Sequence, residues 1–142
     1  MTELSCHCGQ VALRIATTPA FIHACNCSLC RKSGAQWAYL APDEVAITGP
    51  TTGYVRADKP GAGAEIRFCP VCGSTTHFVL TPSTIALHGN TMVGVNMALA
   101  DEAALTGVEM RFPDGAAWAG EGPFGYLRES VIIGSGDQPH SP

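Results

Sequence analysis

Between residues 10 and 16 the apolar side chains Val11, Leu13 and Ile15 alternate with Ala12, Arg14 and Ala16, the period of two expected of a strand with one buried face. The same reading predicts strands over residues 35–41, 45–48, 53–56, 64–68, 75–80, 84–87 and 93–97, each bounded by Gly, Pro, Asp or Thr clusters. Short apolar pieces at this spacing predict a mainly β chain built of antiparallel sheets. Helical signals are confined to short turns at residues 28–33 and 100–105, too brief to organise a fold. Residues 57–63 have the composition of an exposed hairpin tip, and residues 134–142 carry no apolar period, which predicts a frayed or disordered tail. The remainder, residues 2–133, is expected to form a single domain.

Composition narrows the class. A chain of 142 residues with 46% apolar side chains can bury an adequate core without crosslinks, so its seven cysteines need another explanation. Only 14% of residues are charged, against about 25% in an average soluble protein. Eight basic and twelve acidic side chains leave a formal charge of −4, with no positive field to hold a phosphate backbone, so nucleic acid is not expected as a partner. The opening Met1-Thr2-Glu3-Leu4-Ser5-Cys6 has neither a basic start nor an apolar stretch, and no apolar run approaches the ~18 residues of a membrane span. The expectation is a soluble, cytoplasmic protein without membrane contact, whose thiols stay reduced.

The cysteines fall in three groups: Cys6-His7-Cys8-Gly9, Cys25-Asn26-Cys27-Ser28-Leu29-Cys30, and Cys69-Pro70-Val71-Cys72-Gly73. Thiolates one or two residues apart can turn toward one cation at the ~2.3 Å Zn–S distance, and a glycine after the last ligand lets the backbone fold back beneath the sulfurs. Both outer groups end in such a glycine. A closed structural zinc takes four ligands, so seven cysteines divide into a four-sulfur site from Cys6, Cys8, Cys69 and Cys72 and a three-sulfur site from Cys25, Cys27 and Cys30. Three protein ligands with a free position is the arrangement of a catalytic metal. Three other readings stay open: disulfides, a single zinc with three idle thiols, or a middle trio completed by His23 or His7. Three thiolates weaken a bound zinc as a Lewis acid, so an open trio suits a soft incoming thiol better than water. Arg31 and Lys32 follow the trio directly and can offset its charge or hold a substrate carboxylate. Trp37 and Tyr39 share one face of a predicted strand, as core or as a substrate wall, while His77, His88 and Trp118 have no assigned partner.

These motifs, extended through Arg31-Lys32-Ser33-Gly34-Ala35, Phe68 and Ser74, resemble the glutathione-dependent formaldehyde-activating enzyme family, which includes the centromere-protein-V-like proteins. Val95-Asn96, and Phe112 with Asp114-Gly115 and Trp118, resemble a weaker downstream pattern of that family, here with Pro113 interposed. The resemblance implies a zinc-bearing β-tent fold with two zinc ions per chain. Cys6, Cys8, Cys69 and Cys72 would hold the structural ion, and Cys25, Cys27 and Cys30 the second, labile and catalytic one. It also implies a carbon–sulfur lyase that reversibly joins glutathione to formaldehyde as S-hydroxymethylglutathione. Arg31, Lys32 and Trp37 are candidate substrate contacts. A small thiol such as glutathione is the expected partner, with a homodimer compatible with the lightly charged surface. The rival reading is a non-enzymatic zinc-binding interaction module.

Overall fold

The structure is a computed structural model and describes residues 1–135. Strands β1 (Thr2–Ser5), β2 (Ala12–Ile15) and β5 (Val45–Thr48) form a three-stranded antiparallel sheet with β2 in the middle. A second, eight-stranded sheet contains β3 (Phe21–His23), β4 (Trp37–Leu40), β6 (Thr52–Val55), β7 (Ala64–Phe68), β8 (Thr75–Leu80), β9 (Val93–Asn96), β10 (Glu109–Pro113) and β11 (Tyr126–Ile132). Its order is β11-β10-β3-β4-β9-β8-β7-β6. Two short helices, α1 (Ser28–Ser33) and α2 (Pro82–His88), complete a mainly β architecture with three 3-10 turns.

The alternation in β2 is realised: Leu13 and Ile15 are buried while Ala12 and Arg14 are exposed. Leu13 lies opposite Leu4 on one side and Ile47 on the other, so the three strands present one apolar face. That face packs with Ile22, Ala38, Val93, Val95 and Met97 of the larger sheet and its edge, giving the main core. A second cluster of Ala35, Trp37, Ile66, Phe78 and Leu80 includes the next row of the larger sheet. Within it Tyr39, Gly94, Phe78 and Ile66 are successive cross-strand partners. A side chain on Gly94 would overlap the Phe78 ring, so the glycine lets that ring lie flat across β9 and meet Trp37 edge-on at 5.0 Å.

Several expectations need correction. Residues 84–87 are helical, because Pro82 occupies the first turn, where its missing N–H removes a donor that has no partner there anyway. The Ile85 N–H donates to the Thr81 carbonyl at 3.0 Å, and Gly89, at φ 82°, ends the helix. The β-branched Thr84 and Ile85 misdirect a propensity reading there. The turn expected at 100–105 is a 3-10 turn over Glu102–Leu105. β3 and β10 pair in parallel, an exception in otherwise antiparallel sheets. β1, β3, β10 and β11 had no alternating signal strong enough to predict; β11 is exposed along most of its length and so lacks a buried face. Residues 57–63 do form the tip of the β6–β7 hairpin. Of the predicted tail, Gly134 and Ser135 form a turn on Ile132, while residues 136–142 lie outside the described part. No helix among the described residues is long and apolar enough to cross a membrane.

Candidate metal centres

The sulfurs of Cys6, Cys8, Cys69 and Cys72 lie within 4.8 Å of one another, close enough to hold one ion. Cys6 and Cys8 come from the β1–β2 connection and Cys69 and Cys72 from the β7–β8 connection, so the cluster ties the small sheet to the large one. The two turns are built alike. The Cys6 N–H donates to the Val11 carbonyl at 2.9 Å and the Cys69 N–H to the Ser74 carbonyl at 3.0 Å. Gly9 (φ 82°) and Gly73 (φ 76°) then reverse the chain in the left-handed region, as the glycine after each pair predicts. Backbone N–H groups point at the sulfurs, from Val11 to Cys6 at 3.2 Å and from Val71 to Cys69 at 3.4 Å. Ser74 joins the turns, with its hydroxyl accepting from the His7 N–H at 3.3 Å and lying 3.3 Å from the Cys72 sulfur.

Crowding splits the thiol acidities. Hydrogen bonds from the Ser74 side chain and backbone hold Cys72 down at about 5. Cys8 receives a favourable bond from the Gln10 backbone, yet burial and its three sulfur neighbours push it up to about 11. Four thiols that cannot all ionise without a counter-charge are what a divalent cation relieves.

The second cluster is contained in one segment. Cys25 follows β3, Cys27 caps α1 and Cys30 lies within it; their sulfurs again fall within 4.8 Å. Cys27 accepts the Cys30 N–H at 3.3 Å, and Cys25 accepts the Cys27 N–H at 3.4 Å. The Trp37 indole N–H, from β4, donates to the Cys30 sulfur at 3.3 Å. Hydrogen bonding with Cys25 and Cys30 pulls the Cys27 thiol far below its ordinary value, and the same contacts push Cys30 up. Burial and then the charges of Cys30, Cys25 and Cys27 raise the Tyr39 hydroxyl.

Among the described residues no further Cys, His, Asp or Glu ligand atom joins this group. Neither histidine considered above completes it. His7 sits on the other cluster, and His23 hydrogen-bonds the Tyr39 hydroxyl at 3.0 Å through Nδ1. The His23 ring is packed among Phe21, Tyr39, Phe124 and Tyr126, with burial and then Arg111 keeping it neutral. All seven cysteines are free thiols, which removes the disulfide alternative.

The segment from Asp114 to Gly125, between β10 and β11, forms a strap against the trio. Asn26, between two of the cysteines, donates to the Asp114 carboxylate at 2.8 Å and accepts the Ala116 N–H at 2.9 Å. Gly115 is thereby pressed onto Cys25, where a Cβ would stand 2.2 Å from the sulfur. Farther along, the Trp118 indole N–H donates to the Gly122 carbonyl at 3.0 Å and its ring lies on Phe124 at 4.5 Å.

Of the expected substrate contacts, Trp37 is buried in the second core cluster while touching the trio. Arg31 and Lys32 are exposed in the last turn of α1. His77 is buried in β8 with Nδ1 2.9 Å from the Thr76 hydroxyl, and His88 is exposed. Sequence reasoning missed Arg56, at the end of β6. Its guanidinium holds Asp58 at 2.7 and 2.8 Å and reaches the hydroxyl of Ser28, the residue after Cys27, at 3.3 Å. No spacing rule connects it to cysteines nearly thirty positions away. Asn26 had a signal of sorts, its place between two ligands, and Asp114-Gly115 stood in the downstream motif.

The model of the family described as "Glutathione-dependent formaldehyde-activating enzyme" matches residues 1–113. A solved structure of a Rhodobacter sphaeroides protein is similar, at 28% sequence identity and a TM-score of 0.54, over 70% of this chain and 88% of that one. No curated protein matches the chain.

Proposed function

Since the chain belongs to the glutathione-dependent formaldehyde-activating enzyme family, we propose that it is a zinc-dependent carbon–sulfur lyase. Its substrate would be a thiol adduct, S-hydroxymethylglutathione or a related small conjugate. The observation that carries this reading is the inequality of the two clusters: four sulfurs in one, three in the other, and no further ligand beside the three. On this reading residues 2–133 act as one zinc-binding domain. Cys6, Cys8, Cys69 and Cys72 hold a structural ion, and Cys25, Cys27 and Cys30 hold an exchangeable one. A zinc at the trio supplies a soft, weakly acidic site that favours a thiolate over a thiol.

The chain's own groups prepare that site. The N–H donors of Cys27, Cys30 and Trp37 spread negative charge away from the sulfurs. Asn26 fixes the strap, which covers Cys25. The half-buried Tyr39 hydroxyl, on the strand that also carries Trp37, is paired with the His23 ring at 3.0 Å. Free thiols suit the reducing cytoplasm, which we take as its location.

Intact-mass measurement under non-denaturing conditions tests the reading. About two zinc ions per chain are expected, by the one-ion-per-site rule. Added glutathione should perturb only one of them, and the Cys27→Ser protein should stay folded while losing that ion. Two ions of equal resistance to thiol and chelator would overturn the open site. A doubly loaded protein that neither responds to thiols nor cleaves the adduct would instead point to an interaction module.

A further inference from the structure

Asn96 ends β9 opposite Trp37 and is only 4% exposed. A buried amide has both a carbonyl and an NH2 group to satisfy, and Asn96 does so on neighbouring strands. Its Nδ2 donates to the Thr75 carbonyl at 2.8 Å, while its Oδ1 accepts the N–H groups of Gln36 at 3.0 Å and Ala98 at 3.1 Å. Thr75, the first residue of β8, passes the link on: its hydroxyl donates at 3.3 Å to the carbonyl of Ser33, the last residue of α1. The two side chains thus grip residues 33–36 at both ends. That segment is folded back onto Cys30, whose carbonyl accepts the Ser33 hydroxyl at 3.2 Å, the Gly34 N–H, and the Ala35 N–H at 3.2 Å. On its other side Thr75 follows Ser74, which joins the two turns of the four-sulfur cluster.

Such a brace meets a need of the trio. α1 has six residues, well short of the ~12–15 at which a helix begins to hold itself in water, so its shape is imposed from outside. Three sulfurs that keep an ion while its fourth ligand comes and goes have to stay in place without that ligand. We propose that Thr75 and Asn96 are positioning residues of the trio, which lock the C-terminal end of α1, and with it Cys30, onto the framework that the four-sulfur cluster ties together. The inference rests on the trio holding a metal, as put forward above, and adds the residues that preset its geometry. Both act through the backbone around Cys30.

The test uses the full chain loaded with cobalt(II), whose sulfur charge-transfer and d–d bands report the ligand set without turnover. Chelator competition with intact-mass measurement then counts the ions each protein retains. Thr75→Val keeps the β-branched shape and removes the hydroxyl, Thr75→Ser keeps the hydroxyl, and Asn96→Ala removes all three amide bonds. Thr75→Val and Asn96→Ala should each hold the trio ion about tenfold more weakly, the lower end of what supporting hydrogen bonds contribute to metal affinity, while the four-sulfur ion holds to within about twofold. Thr75→Ser should behave as wild type. A lower urea midpoint with an unchanged ratio of the two affinities, equal loosening of both ions, or a Thr75→Ser protein as loose as Thr75→Val would overturn the assignment. If wild type holds a single cobalt per chain, the metal reading of the trio falls and this inference with it. If it holds two and the variants leave the trio unchanged, the inference alone falls. Should Asn96→Ala fail to fold, the Thr75 pair decides.

Discussion

Replacing Gly115 by alanine isolates the strap's grip on the trio. No positive φ is involved at this glycine, so the backbone accepts alanine and the effect is steric. The new Cβ would stand 2.2 Å from the Cys25 sulfur, and ordinary contact begins at 3.4 Å, so one partner must retreat by 1.2 Å. If the sulfur yields, it moves several times farther than the ~0.2 Å that metal coordination tolerates. If the strap yields, the Asn26 bonds to Asp114 and Ala116 are lost, at about 1 kcal/mol each. Both routes lead to the same outcome. Global stability should fall by about 1–3 kcal/mol, the usual cost of overpacking. The trio should hold its metal at least tenfold more weakly while the four-sulfur ion stays bound. Chelator competition followed by intact-mass measurement reads the two ions separately, and urea unfolding reads stability. A Gly115→Ala protein that keeps both ions with wild-type resistance would refute the view that the strap seats Cys25.

Two further substitutions probe the surroundings. Trp37→Phe removes the N–H donor to Cys30 but keeps a ring against Phe78. Stability should drop by less than the 3–5 kcal/mol of full aromatic truncation. The sulfur-to-cobalt charge-transfer band of the trio should move to lower energy as Cys30 becomes more electron-rich, and an unmoved band would exclude that donor role. His77 is held at about 4, below its ordinary 6.5, by burial and then by Arg67. Between those values the unfolded chain binds the extra proton and the folded chain does not, so this contribution is complete above 6.5 and is lost as the pH falls toward 4. From about pH 7 to about pH 5 it amounts to ~2 kcal/mol. His77→Gln should show a correspondingly shallower decline in urea unfolding over that range, since acid release of metal affects both proteins alike; parallel declines would place His77 elsewhere than in the core.

How far the sequence could be read followed from how local each signal was. Strands with one wet face, such as β2, and hairpins bounded by glycine and proline were visible because their pattern is complete within a few residues. The cysteine groups were visible for the same reason: each turn is built from neighbours, and its closing glycine has to adopt a conformation other residues avoid. β11 was invisible because it is an exposed edge strand with no buried face. The parallel pairing of β3 with β10 was hidden too, since partners far apart in sequence leave no local mark. At the site the same limit applies. The trio itself could be read directly, whereas Trp37 reaches it from a neighbouring strand, and which aromatic on β4 would donate to a sulfur depends on the register with β3. Arg31 and Lys32 drew notice through adjacency, but α1 carries them to its exposed end.

The unequal placement of the clusters in the chain also bears on their roles. Cys8 and Cys69 are 61 residues apart and their sulfurs 3.7 Å apart, so a metal between them closes a long loop and joins two sheets. By the chain-entropy relation for crosslinks, closing a loop of that length restricts the unfolded state by about 4 kcal/mol. The trio spans residues 25–30, and the same relation gives roughly half that for so short a loop. Its sulfurs are gathered by the cap of α1, by Trp37 and by the strap, all of which rest on the sheets already in place. A metal at the four-sulfur cluster is therefore coupled to the fold as a whole, and one at the trio is coupled mainly to its own pocket. Under the proposed lyase function, the ion that exchanges a ligand belongs where its loosening costs the fold least, which is at the trio.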